Sequence, residues 1–237
     1  MHNHNEPHAV YLLSEADPDY SQKIAVICDL LIGNYGGMVV RSRRPAMDVL
    51  VQGILSQNTN DTNTGRAFDN LKAKYRTWED VLAAPEEELG EVIKSSGFYR
   101  LKAQRIKATL SEIRSRVGRL DLRLLKKMDI DEAMDWLTSL HGIGPKTAAI
   151  VLLFHFGKPV LPVDTHVWRV AKRLGLVPSN FTREKTQATL QNVVPQPCLL
   201  TMNHNLVTHG RQTCKARNPR CDICFLRTHC EYYITLH

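Results

Sequence analysis

The 237 residues contain no apolar run near the ~20 needed to cross a bilayer, so no membrane partner is expected. No segment alternates apolar and polar residues for the length of a strand, which removes the usual mark of a half-buried sheet. Internal repeats and low-complexity tracts are missing. The first residues, MHNHNEPH, show no basic-then-apolar pattern, and the expectation is a cytoplasmic location. In reducing surroundings six cysteines are poorly explained by disulfides and better by metal binding or burial. His2, His4 and His8 are read as part of a disordered tail rather than a metal site.

What is present is helical. Ile106, Leu110, Ile113 and Val117 recur on one helical face, and Leu50, Val51, Ile54 and Leu55 on another. Thr77 before WEDVLAA, Pro85 before EEELGEVIK and Asp164 before the run from Thr165 to Leu174 are helix starts. KPVLPVD suits a connector. The expected class is all-α, with roughly ten to twelve short helices.

Net charge is +7, and its placement is uneven: residues 158–237 hold 11 Lys and Arg against 4 Asp and Glu, whereas residues 1–157 hold 20 of each. A one-sided surplus suits a polyanionic partner, although a solvated basic face would look the same.

Two motifs bear on chemistry. DEAMDWLTSL-HGIG-PKTAAIVLLFHF reads as helix, hairpin, helix. Gly142 and Gly144 permit backbone angles closed to other residues and, without side chains, allow very close approach by another molecule, and Pro145 suits a first helical turn. The helix it opens presents unpaired N–H groups to a phosphate; an ordinary αα-hairpin would need the same glycines. Lys146 sits at the positive end of that helix, where a second positive charge is disfavoured. That mismatch favours the neutral amine that attacks carbon, and partial burial would favour it further, although an exposed phosphate-binding lysine would occupy the same position. Asp164, in VDTHVWRVAKRLGL, is an N-cap whose carboxylate the first N–H groups keep charged.

The second motif, HGRQTCKARNPRCDICFLRTHCEYY, places Cys214, Cys221, Cys224 and Cys230 within seventeen residues as C-x6-C-x2-C-x5-C. Four thiolates so spaced hold a metal, and spacing alone admits zinc or a cubane cluster. Lys215, Arg217 and Arg220 form a cationic loop between the first two cysteines that suits a phosphate backbone. Cys28 and Cys198 fall outside the spacing and are read as small buried side chains.

LHGIGPKTA followed by VDTH resembles the helix-hairpin-helix DNA glycosylases, and the endonuclease III family in particular, over about residues 22–233. The resemblance implies a two-domain helix-hairpin-helix DNA glycosylase architecture with an iron–sulfur cluster loop. Residues 40–158 would form a helical barrel domain ending in the hairpin. Residues 1–39 would pack with a cluster domain at 159–237, and a cleft would separate the two domains. It implies Lys146 and Asp164 as the catalytic pair, a [4Fe–4S] cluster on the four cysteines, and double-stranded DNA bound by a monomer. The expected activity is a base-excision-repair glycosylase and abasic-site lyase on damaged pyrimidines. Asn58 in LSQNTND and Phe98 in IKSSGFYRLKAQRI stand where such enzymes insert a gap-filling side chain and a wedge, although a capping amide and a core phenylalanine would explain them too. Asp61 is read mainly as a helix cap. His141 and Pro145 depart from the family's usual hairpin, so backbone N–H groups at Gly142, Gly144 and Lys146 are expected to do the binding. Rival readings are a glycosylase for mismatched thymine or uracil or for methylcytosine, and a non-catalytic iron–sulfur DNA-binding or redox-sensing protein.

Overall fold

The computed structural model describes residues 18–38 and 44–236; His2, His4 and His8 lie outside them. Among the described residues there is no strand, and no helix is long and apolar enough to cross a membrane. The chain divides into two compact units, Val40–Pro162, and Met1–Val39 with Val163–His237.

The first of these units carries α2 (Ala46–Leu55), α3 (Asp61–Lys74), α4 (Trp78–Ala83), α5 (Glu86–Val92), α6 (Tyr99–Val117), α7 (Ile130–Thr138) and α8 (Pro145–Val151). Its core collects Leu50, Ile54, Leu55, Leu71, Leu89, Ile106, Leu110, Ile113, Leu137 and Val151, each contributing roughly 1.5–3 kcal/mol by leaving water. Gly53 lets α2 press on α8, because a Cβ there would stand 2.6 Å from Thr147 Cγ2. The short helices α4 and α5 would be marginal alone. A capping box between Thr77 and Asp80 starts α4, and Val81 and Leu89 bury the inner faces. After Val92 the chain tightens into a 3₁₀ turn at Lys94–Ser96, so EEELGEVIK is not one helix. Past Val151 the helix widens into a π turn at Leu152–Phe156, and KPVLPVD follows as irregular chain.

The other unit carries α1 (Pro18–Tyr35), α9 (Thr165–Leu174), α10 (Arg183–Val193), α11 (Leu199–Gln212) and α12 (Glu231–Ile234). Helix α1 is fastened by Tyr20 Oη donating to Leu176 O at 2.6 Å and by a Lys23–Glu231 ion pair at 2.8 Å. Cys28 is buried, as expected, against Met202. Cys198 is only half-buried, in the 3₁₀ turn that leads into α11, with its thiol close to that of Cys28.

Candidate functional site

The hairpin between α7 and α8 is fixed mainly by α6. Thr109 Oγ1 donates to His141 O at 2.8 Å, and His141 N–H donates to Glu112 Oε2 at 3.2 Å. Gln57 Nε2 donates to Gly142 O at 3.0 Å, and Arg105 Nη1 holds the other end of that amide at 2.6 Å. Gly142 has φ +81°, and a Cβ on it would meet the Arg105 stem at 3.0–3.2 Å, so glycine is required there twice over.

Gly144 differs from Gly142. Its φ of −98° and ψ of 172° are open to any residue, and a Cβ there would meet nothing within 4 Å. Neither backbone nor neighbours in the chain demand a glycine at this position. The first intrahelical bond of α8 runs from Ala148 N to Gly144 O, which leaves the N–H groups of Lys146 and Thr147 ahead of the ladder. Lys146 occupies the second position of α8 and is exposed. Burial adds nothing at this side chain, because the buried side of this helix is supplied by Thr147, Ala148 and Val151.

Asp164 is the N-cap of α9, with Oδ1 accepting from His166 N and Val167 N at 2.8 Å each. Both bonds fall on one oxygen, and the half-buried carboxylate keeps Oδ2 for another partner. From this cap α9 runs back to the cysteine loop. Arg169 reaches Cys214 O at 3.0 Å and Gly210 O at 2.8 Å. Arg173 reaches Lys215 O at 2.7 Å, Ala216 O at 3.1 Å and Cys214 Sγ at 3.3 Å. These two arginines, one turn apart on α9, shape the cationic loop without belonging to it; their i, i+4 spacing was the available signal.

Cys214, Cys221, Cys224 and Cys230 line one pocket, together with Arg173, Leu174, His209 and Tyr232. Among the described residues no three His, Cys, Asp or Glu side chains converge as ligands of a single metal ion. The four thiols line a common space, a donor set of soft sulfurs that suits an iron–sulfur cluster. Burial pushes the Cys224 thiol up to about 11 and the Cys230 thiol upward, with the neighbouring cysteines adding to both. That crowding of sulfurs is sustainable as thiolates only around a strongly positive centre. Buried His209 stands behind Cys224 at 3.6 Å, with its Nδ1 3.0 Å from Tyr35 Oη. Burial lowers His209 to about 4. Lys215, Arg217 and Arg220 are exposed on the loop.

Asn58 and Phe98 are both exposed and both left-handed, at φ 53° and 48°. Phe98, at 66% exposure, is no core residue. Asn58 caps no helix either: the cap of α3 is Asn60, whose side chain accepts from Asn63 N at 2.8 Å. The same bond displaces Asp61 from the capping role expected of it, since Asp61 is the first residue inside α3. Beneath the two loops lies Lys102, which donates to Leu55 O at 2.7 Å and Ser96 O at 2.6 Å. Burial, and then the nearby Arg105 guanidinium, hold its ammonium down to about 8.

Residues 51–196 match the model of the HhH-GPD superfamily base excision DNA repair proteins, and residues 214–230 that of the iron–sulfur binding domain of endonuclease III. Endonuclease III of Thermotoga maritima is 41% identical over 187 residues, covering 78% of this chain and 82% of the relative. That of Bacillus subtilis is 37% identical over 183 residues, covering 77% and 80%. An endonuclease III solved in a non-covalent complex with DNA shares the fold at TM-score 0.79 and 29% identity, over 91% of this chain and 97% of that one. An endonuclease III trapped as a covalent intermediate with DNA matches at the same TM-score and identity, over 91% and 98%. A glycine hairpin ahead of α8, four cysteines lining one pocket and relatedness over most of the length lead to one assignment: this chain is a DNA glycosylase of base excision repair, belonging to the HhH-GPD superfamily on its endonuclease III branch, with that branch's [4Fe–4S] cluster.

Proposed function

We propose that the protein is a bifunctional N-glycosylase and abasic-site lyase acting on damaged pyrimidines in duplex DNA, as a monomer, in the cytoplasm where the nucleoid lies. The observation that carries this reading is Lys146, an exposed amine on the first turn of the hairpin helix. A glycosylase that only activates water has no need of an amine there. In the neutral form, Lys146 Nζ attacks the sugar C1′ and the bond from C1′ to the base breaks, the base leaving with a proton. The ring C1′–O4′ bond then opens to an imine. Loss of a C2′ proton expels the 3′ phosphate by β-elimination, and water releases the lysine. Asp164, anchored through Oδ1, stabilises positive charge at the sugar and takes part in moving the lysine's proton.

Cys214, Cys221, Cys224 and Cys230 hold the cluster, which gives the loop its shape; no step of the reaction passes through it. Lys215, Arg217 and Arg220 meet phosphates, as do the N–H groups around Gly142, Gly144 and Lys146. Asn58 and Phe98 enter the stack when the target nucleotide leaves it.

The test is base release and strand nicking on duplexes carrying thymine glycol, uracil opposite guanine, thymine opposite guanine, or 5-methylcytosine. Thymine glycol should be released and nicked at least about tenfold faster than the other three. Faster processing of a mismatch or of methylcytosine would overturn the substrate assignment, and release without nicking would overturn the lyase.

The glycines separate architecture from binding. Gly142→Ala should lower stability by about 1–2 kcal/mol through its positive φ and the Arg105 contact. Gly144→Ala should unfold like the parent yet bind duplex DNA roughly tenfold more weakly, because its methyl stands where a phosphate approaches. Thermal unfolding and a fluorescence binding titration read both; unchanged affinity for Gly144→Ala would remove the hairpin from the interface.

A further inference from the structure

Lys102 is 1% exposed and is the bulkiest side chain buried to that degree among the described residues. The reaction above does not use it. An ammonium taken out of water is costly unless its protons are satisfied, and no carboxylate among the described residues pairs with Lys102. A methionine of similar length would fill the same space without that cost, so packing alone does not account for a lysine.

Its two acceptors explain more. Leu55 is the last residue of α2, and Ser96 the last of the 3₁₀ turn. Carbonyls at such ends lack helical partners and sit at the negative pole, where a cation is favoured. Three residues past Leu55 stands Asn58, and two past Ser96 stands Phe98. Asn58, Phe98 and Asn218 are the only non-glycine residues with positive φ among the described ones. Two of the three therefore hang directly from the carbonyls that Lys102 joins. Such conformations persist where the surroundings over-determine them. Thr59 supplies a further tie, its Oγ1 donating to the same Ser96 O at 2.6 Å.

We infer that Lys102 is a positioning residue for duplex opening: it pins the roots of both loops to each other, so that Asn58 and Phe98 enter the helix as one preset unit. The inference rests on the proposed insertion of those two side chains. Preorganised groups lose less freedom on binding than two loops ordered separately. Without the ammonium the loops part, and damaged DNA is held less firmly although the hairpin and the basic loop still grip the backbone.

The experiment uses the full-length holoprotein and a duplex carrying a tetrahydrofuran abasic-site analogue beside 2-aminopurine, whose fluorescence rises on unstacking. Lys102→Met should weaken affinity for this duplex about tenfold and lower the fluorescence rise, with affinity for undamaged duplex changed less than about twofold. In an Asn58→Ala/Phe98→Ala background, Lys102→Met should add less than about a twofold loss, because its targets are gone. Equal losses in both backgrounds, or on damaged and undamaged DNA alike, would overturn the inference and leave a purely structural lysine. If Asn58→Ala/Phe98→Ala itself binds the analogue like the parent, insertion fails and this inference falls with it, a result readable before Lys102 is touched. Thr59→Val removes the second tie on Ser96 O without entering the core and should show a smaller loss with the same dependence on background. It decides the matter if Lys102→Met does not fold.

Discussion

Lys146→Gln should abolish covalent trapping: with borohydride and an abasic-site duplex, the substituted protein is expected to form less than about one thousandth of the parent's adduct. The size of this effect follows from the chemistry. A Schiff base requires an amine, and glutamine of similar reach offers only an amide. Little else should change, because Lys146 is exposed and makes no contact on which the fold depends. Surface substitutions of this kind alter stability by no more than about 0.5 kcal/mol. Pro145 still opens the helix, and the N–H groups of its first turn still lie ahead of the ladder. Binding to an uncleavable abasic analogue should therefore fall less than about tenfold while trapping and nicking vanish together. That split distinguishes a nucleophile from a phosphate contact, which would weaken binding and spare the adduct. Equal trapping by the parent and Lys146→Gln would move the nucleophile to another amine.

Features that depend on neighbours in the chain were readable from sequence. Asp164 caps α9 because a short carboxylate just before a helix finds two N–H groups within three residues, whatever packs later. The cysteines announce themselves by spacing. The periodicity of Ile106, Leu110 and Ile113 places all three in the core, since one face of an amphipathic helix has one place to go. Features that depend on distant partners were not readable. Lys102 lies in a lysine- and arginine-rich helix and reads as a solvent residue; only the meeting of two helical ends 41 residues apart, Leu55 and Ser96, makes it a buried clamp. Gln57, which carries Arg105's grip to Gly142 O, is hidden in a run of amides for the same reason. His209 looks like one more polar residue of α11 until Tyr35, 174 positions earlier, and Cys224 close around it. Gly142 and Gly144 look alike in HGIG, yet one is a backbone necessity and the other a vacancy facing outward, a difference set by φ and by Arg105.

Replacing one cysteine of the cage should cost more of the structure than any other single substitution considered. Between Thr213 and Glu231 the chain has only two 3₁₀ turns, and of its side chains only Leu226 and Cys230 are buried. So little apolar contact cannot fix seventeen residues against their conformational entropy, about 1–2 kcal/mol each for the backbone. The arginines of α9 bond one side of the loop, but hydrogen bonds at a surface net only about 0.5–1.5 kcal/mol apiece. The remaining stabilisation has to come from ligation, so the segment folds with its cluster and comes apart without it. Cys221→Ala should therefore lose the visible absorption and drop from about four irons per chain to below about one. Its cysteine loop should become open to protease, with the melting temperature at least about 5 °C lower. Cys198→Ser, outside the cage, should keep its iron and its absorption. DNA affinity should fall with the loop, because Lys215, Arg217 and Arg220 keep their charge but lose their fixed positions, and a flexible cationic strand binds by charge alone. Recovery of zinc rather than iron from the parent would contradict the cluster. Full iron in Cys221→Ala would mean that the ligand set has been drawn wrongly, and the loop's rigidity would need another source.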